Sequence, residues 1–392
     1  MFACLLISSR FKHDLRQIRL VLTLANQTLK KYFAYGLPDY AKLSGVPVPN
    51  PYPFFDIDKT KARPYRPFRW PYHQNMSLKK LEPDWWIELE STYRERIAQR
   101  IDLYKEHGEK IINSLPGSEA AMKELMEMVI QFLCARYPNQ FYYNEWTGMF
   151  HNHILASRSD TRKIRPLVFL LQNVPEDFLI VQKDEKTGLS VLTAGVSCSA
   201  VGWNLSLKIG QPLHQIHGPV PFYKEKMSFS MDRYFSNMPC DKPIQRGSWG
   251  LEIGEPLYLQ AEDPDFAMRT QQDPQLKVSD ISLRVDWQTL RRMPRSQAIV
   301  FNFKALFTPL THFRREPFVP KLLLKVLSEG QKSIMEYKGT WHVEHVVLPA
   351  LKLWADEQEE HKWVPRDWQV RTLDEDPFYP GWGYNRDYDD DS

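Results

Sequence analysis

Hydrophobic positions along this chain follow two periods, and the change from one to the other organises it. In the first 140 residues, outside 37–73, they recur at steps of three and four. Leu15, Ile18, Leu22, Ala25, Leu29 and Tyr32 form one such stripe, the period of a helix, with Gly36 and Pro38 as its stop. Trp86, Leu89, Tyr93, Ile97, Ile101 and Tyr104 form a second stripe behind Pro83, a residue suited to a first helical turn. A single helix from Pro83 to Lys110 would be about 40 Å long. Ser118 is placed to cap a third, with Met122, Leu125, Met126, Val129 and Leu133 inward and Pro138 beyond its end. After residue 165 the pattern shortens. Phe178–Gln182, a polar turn at Lys186–Gly188 and Leu189–Val196 predict a β-hairpin. Ser248–Gln260, Ile281–Trp287 and Ala298–Thr308 predict further strands. A last helical region runs from Pro320 to about Glu360, carrying Leu323, Val326, Leu327, Ile334, Val347, Leu351 and Trp354. Short strands joined by hairpins, with few crossover helices, make an antiparallel sheet. The expected fold class is α+β, with helices before and after a mostly antiparallel sheet.

Residues 37–73 fit neither period. Val46 to Phe55 and Arg63 to His73 alternate proline with aromatic rings. Such a run is extended, and its rings need a surface to lie on.

Composition narrows the function classes. A chain of 392 residues with 43% hydrophobic and 13% aromatic content builds a globular core in one large or two medium domains. The formal charge of +3 is too small to argue for nucleic acid as a partner. It is unevenly spread: residues 374–392 hold seven acids against Arg386, a net of −6, which leaves +9 on the rest. That end reads as a solvated acidic tail. The first stripe is basic, with Arg10, Lys12, Arg16, Arg19, Lys30 and Lys31 against Asp14. Such a helix packs on its own domain, touches a membrane surface or serves as a mitochondrial presequence. Cysteines 3, 134, 198 and 240 are scattered with no CxxC. This argues against an iron–sulfur cluster, a zinc knuckle or a disulfide framework and for a reducing, intracellular compartment. It leaves cytoplasm, membrane association and mitochondrion open. No GxGxxG or GxxxxGK[ST] is present, so no nucleotide cradle is visible.

One segment stands apart, from Trp203 to Pro221, with His214 and His217 three residues apart. Pro219 and Pro221 lock the backbone just beyond His217, and each pushes its predecessor out of the helical region. His217 therefore ends a short element on a stiff corner, which aims its imidazole. A neutral imidazole ligates haem iron and other borderline metals; the ordinary alternative is a turn residue satisfied by backbone or water.

This segment and others resemble a known family. Lys208-Ile-Gly-Gln-Pro-Leu213, Ile216-His-Gly-Pro-Val-Pro221, Arg246-Gly-Ser-Trp249 and Leu283-Arg-Val-Asp-Trp-Gln-Thr-Leu-Arg-Arg-Met-Pro294 look like the haem-dependent oxidative N-demethylase alpha-subunit-like family, whose fungal members are called HRQ family proteins. Pro64–Trp70, Leu81–Leu89 and Tyr337-Lys-Gly339 also fit, so the likeness spans roughly residues 60–345. It implies a PAS-like α+β domain holding haem b over residues 61–365: a helical part at 75–140, a PAS-like sheet part at 165–315 and C-terminal helices at 320–362. The basic helix and connector at 1–60 would precede it, and the tail at 366–392 would follow.

The implied chemistry is that of a haem monooxygenase. It removes a methyl group from a small secondary amine, or acts on a larger unknown substrate, with O2 and with electrons from NADPH through partner subunits carrying flavin and a [2Fe–2S] centre. His217 is implied as the axial ligand, with His214 and His73 as rivals. Arg246 and Arg284 are implied to pair with the haem propionates, against ordinary ion pairing. Trp203 and Trp249 would pack on the porphyrin, against plain core packing. No catalytic residue is assigned. Where the family pattern expects Arg-x-Glu-Arg-Gln-Thr-Leu, this chain has Asp286 and Trp287, so haem binding could persist without N-demethylation. The competing readings are a non-catalytic, haem- or gas-binding PAS-like protein and a scaffold without haem.

Overall fold

The alternation beyond residue 165 supplies five strands of a seven-stranded sheet. The computed structural model describes residues 37–72 and 76–373. The expected helix over 15–33, His73 and the acidic segment 374–392 lie outside the described residues. In chain order the strands are β1 (Lys79–Lys80), β2 (Ile112–Ser114), β3 (Phe141–Asn144), β4 (Met149–Asn152), β5 (Ser157–Asp160), β6 (Asp177–Lys183), β7 (Ser190–Val196), β8 (Ile244–Ile253), β9 (Ile281–Arg292) and β10 (Ile299–Pro309). The main sheet runs β1-β8-β9-β10-β6-β7-β2, and β3-β4-β5 form a small second sheet. Every pairing in both is antiparallel. The helices are α1 (Tyr40–Ser44), α2 (Tyr93–His107), α3 (Glu119–Arg136), α4 (Pro166–Asn173), α5 (Leu213–Ile216), α6 (Ser228–Asn237), α7 (Val319–Glu329), α8 (Lys332–Lys338) and α9 (Trp341–Glu360). The α+β expectation, helices before and after a mostly antiparallel sheet, describes this arrangement.

The departures from the sequence pattern have local causes. Pro83–Lys110 is not one helix but a 3-10 turn at Pro83–Trp85, an extended stretch, and then α2. Tertiary bonds hold that stretch open. Trp86 Nε1 donates to Asn302 Oδ1 at 3.0 Å, Glu88 N–H to Glu176 Oε1 at 3.0 Å, and the Glu90 carboxylate takes both Thr92 N–H and Thr92 Oγ at 2.7 Å. Side chains that satisfy the backbone this way compete with a helix. Ser118 precedes α3, yet its hydroxyl donates to Leu115 O at 2.6 Å and makes no side-chain cap. The last helical region breaks into three. At Gly330 a Cβ would sit 2.4 Å from Val326 O, and Gly339 turns the chain at φ +64°, which glycine alone tolerates well.

The two faces of the main sheet are used differently. Trp249, Leu251, Leu283, Val285 and Trp287 point to one side and pack against α7 and α9. The proline-rich segment lies on that side too: Tyr65 stacks on Trp287 with centroids 4.0 Å apart, Phe68 meets Trp249 edge-on at 5.1 Å, and Pro67 covers Gly247. Further along, Phe178, Ile180 and Val300 join the core built with α2, α3 and α4. The alternate residues form the second face. The register sets Arg246 opposite Gln288, Gln288 opposite Phe303, and Phe301 opposite Leu179. Residues 199–238 cover one end of it, where Leu213, Tyr223, Met227 and Met231 pack on Val181, Ile244, Leu290 and Ile299.

Candidate functional site

Beyond that packed end the second face is less completely covered. Arg246, Ser248, Asp286, Gln288 and Phe301 on the strands, and Trp203, Lys208 and His217 on the cover, are all half-buried. Asp286 shows what kind of space this is. Burial raises its carboxyl above the usual range against the pull of Arg284, yet 29% of its side-chain surface is accessible. A group surrounded by protein but still reachable lines a concavity.

His217 comes from the corner beyond α5. Its ring Nδ1 lies 2.8 Å from Leu213 O, and a carbonyl only accepts, so Nδ1 carries the proton and Nε2 carries the lone pair. The ring stacks on Tyr223 with centroids 5.4 Å apart and planes 16° apart. Burial lowers its pKa, and Lys208 and Arg246 lower it further, while the Leu213 bond opposes them. The imidazole is therefore neutral, fixed in plane and tautomer, and its Nε2 has no hydrogen-bond partner among the described residues. A backbone carbonyl on one ring nitrogen is how ligating histidines are commonly oriented.

Around it the charges do not balance. Arg246 is pulled below its ordinary pKa by burial, with Tyr72, Arg69 and Tyr337 near it, and its Nε is buried without a partner. Lys208 stands 4.5 Å over the Trp203 ring, and burial lowers its pKa. Lys338 stands 4.0 Å over the Trp249 ring and donates to Trp249 O at 3.0 Å. Burial, with help from Arg246, pushes it down to about 7. None of the three pairs with a carboxylate among the described residues. Uncompensated buried cations are costly, and a site that keeps several is set up for an anion.

The structure thus brings together Trp203, His217 and Arg246. Trp203 also lies 6.4 Å from Phe303, giving the cleft an aromatic wall. Two other candidates sit elsewhere. Arg284 spends its guanidinium on Asp286 at 3.0 Å, on Pro256 O at 2.9 Å, and on the carbonyls of Leu257 and Ser199. It ties three loop positions together, and each of its three nitrogens is already engaged. Trp249 is buried on the helix-packed face beside Phe68. His214 is exposed. Trp287, where the family pattern expects arginine, also points to the helix-packed face, stacked on Tyr65, so that departure does not line the cleft. Lys338, Lys208, Arg69 and Tyr72 carry the cluster without having been singled out in sequence. Their signal was position inside or beside the motifs at 64–70, 208–213 and 337–339. A separate cavity of about 640 Å³ lies between α3 and the small sheet, lined by Leu37, Met122, Met126, Ile130, Tyr143 and Ile164; it gathers none of these groups.

Among the described residues no three His, Cys, Asp or Glu side chains converge as a metal cage, and no helix is long and apolar enough to cross a membrane. A porphyrin needs only one protein ligand, because it brings four nitrogens of its own. One neutral imidazole with a free lone pair, cations lacking acids and an aromatic wall fit that group. A family model described as haem-dependent oxidative N-demethylase, alpha subunit-like, matches residues 77–348. The match takes in His217, Arg246 and Lys338, with Arg69 and Tyr72 just before its start. It covers more than half of the chain, which belongs to that haem-dependent family.

Proposed function

We propose that the cleft holds haem b in a PAS-like domain, with His217 Nε2 as the iron ligand, and that the protein oxidises a small amine as the alpha-like subunit of a larger electron-transfer system. The observation that carries this reading is the pairing of His217, its Nδ1 proton committed to Leu213 O and its lone pair free, with the partnerless guanidinium Nε of Arg246 close by. Bound there, haem would supply the redox centre that turns O2 into an oxidant. The protein's part is positional and electrostatic. The corner at Gly218-Pro219 and the Tyr223 stack fix the imidazole plane. Arg246 offers donors to a propionate, which guanidinium binds in a bidentate way. Trp203 and Phe303 supply flat apolar surface, and the cover at 199–238 limits water. Asp286, 29% accessible and bridged to Arg284 through Oδ1, is the carboxylate whose other oxygen would receive a substrate ammonium. Electrons come from a partner subunit or reductase, as membership of an alpha-subunit-like family implies; a flavin and iron–sulfur protein drawing on NADPH suits that role.

The test is absorption spectroscopy of the full chain reconstituted with ferric haem, wild type beside His217→Ala. Wild type is expected to show a protein-bound Soret band, which His217→Ala shifts or loses with at least a tenfold weaker haem affinity. A Soret band unmoved by the substitution would transfer the ligand role elsewhere. Absence of any bound band in the wild type would overturn the haem reading.

A further inference from the structure

The open edge of β8 poses a question that the haem reading leaves unanswered: what balances its second cation. Beyond Gln245 the short β1 no longer pairs with β8. There the turn between α8 and α9 comes in, with Lys338 O 3.9 Å from where a Gly250 Cβ would stand. The Lys338 ammonium rests on a carbonyl and an indole face, both of Trp249, neither of which carries a full charge. The charged groups facing it are Arg246 from β8 and Asp286 from β9, and Asp286 is already bridged to Arg284. The nearest further pair, Arg269 with Glu252, beside Gly339, is closed on itself. Arg246 in turn has Arg69, Tyr72 and Tyr337 around it. Lys338, Arg246 and two phenols thus meet at one edge of the cleft with Arg69 beside them, and the one acid among the described residues that faces Lys338 is Asp286, which Arg284 already holds.

We propose that Lys338 and Arg246 together form the seat for the two carboxylates of the porphyrin edge, and that Arg284 carries none of that load. The inference rests on the haem reading and assigns a residue which that reading does not need. A flexible ammonium parked on weak acceptors is free to turn toward a stronger one, whereas Arg284 would have to abandon three carbonyls. The seat also links binding to protons. Free Lys338 loses its proton near neutral pH, and an anion beside it restores the charge, so filling the site takes up a proton at and above pH 7.

The experiment uses the full-length chain and two readouts other than turnover. Metal-free protoporphyrin and its dimethyl ester are titrated by fluorescence against wild type, Lys338→Met and Lys338→Arg, and ferric haem is titrated by the Soret band from pH 6 to pH 9. Wild type is expected to bind the diacid at least tenfold tighter than the ester, and Lys338→Met to lose most of that preference. Lys338→Arg should keep it. Wild-type affinity for the diacid should fall as pH rises above 7, and that fall should be absent from the arginine variant. Equal binding of acid and ester by the wild type overturns the proposal even if Lys338→Met does not fold. A wild-type preference retained in Lys338→Met also overturns it, and both outcomes leave haem binding by His217 standing. Failure of every porphyrin and haem to bind would take the haem reading down and this inference with it.

Discussion

The main sheet has one face whose buried charges, Arg291 apart, are closed by acids and one face whose charges are not. On the helix-packed side Arg66, almost fully buried, forks onto Glu316 with bonds of 2.7 and 2.6 Å and also donates to Tyr65 O. Lys304 meets Glu90 at 2.8 Å and Glu88 O at 2.9 Å, holding the Glu90 carboxyl down at about 2. On the cleft side Arg246 and Lys208, and at the β8 edge Lys338, are half-buried and pair with no acid among the described residues. Both faces belong to the same strands, so strand pattern does not explain the contrast. Buried charge pairs are the rule wherever a charge must be internal. The lesson is that a charge left open amid well-closed ones marks the place where something else completes the structure.

The sharpest way to break this comparison is to open the closed face. Arg66→Met strands the Glu316 carboxylate in a dry core, and breaking a buried pair from one side costs about 3–5 kcal/mol. Denaturant unfolding should show that loss. Combining it with Glu316→Leu should recover most of the stability, because an apolar pair of similar volume often replaces a buried ion pair without penalty. A loss below about 1 kcal/mol in the single variant would mean that the closed face is not held by its charges, and the contrast would lose its meaning.

Arg291 on the closed side rests on the Trp86 ring with no acid among the described residues, and one acid there is likewise an exception and gives the next prediction. Glu176 is buried, accepts Glu88 N–H through Oε1, and leaves Oε2 without a partner. Lys304 and Arg100 face it but are committed to Glu90 and Asp177. Burial therefore pushes its carboxyl up to about 7 from an ordinary 4.5. An acid raised on folding holds its proton longer in the native state, so its drain on stability is absent below the unfolded pKa and grows as pH rises toward 7. Over that window the drain is on the order of 3 kcal/mol. Glu176→Gln should match wild type near pH 4 and exceed it increasingly up to pH 7, with a constant gap above. A gap that does not change with pH would show that Glu176 is ionised and satisfied in the native protein.

Much of this fold was legible in sequence because alternation and helical period are local. The hairpin of β6 and β7, the long strands β9 and β10 and the helix α3 all follow their own residues. The small sheet of β3, β4 and β5 was not seen: its strands have four residues each, too few to show alternation. The extended stretch at 86–91 kept its apolar stripe but lost its helix to partners such as Asn302, 216 positions away. The site divides in the same manner. His217 was legible because Gly218 and Pro219 build its corner on the spot. Lys338 was not, since a lysine at a helix C-terminus has an ordinary local reason to be there, and the indole and carbonyl it rests on lie 89 positions upstream.

Trp287 supplies the smallest effect and the finest test of the two-face picture. It stands where the family pattern expects arginine, and were it part of the cleft its replacement would disturb porphyrin binding. The structure turns it the other way, stacked on Tyr65 and buried, with its indole Nε1 already lacking a partner. Trp287→Phe therefore removes apolar area and stacking but orphans no bonded group, for a cost of about 1–2 kcal/mol. Haem and protoporphyrin affinities should stay within twofold of wild type, since the strand register and every cleft residue are untouched. A tenfold change in either affinity with little loss of stability would place position 287 in communication with the cleft. The two faces would then be coupled through β9, and the missing arginine would matter to function and not to packing alone.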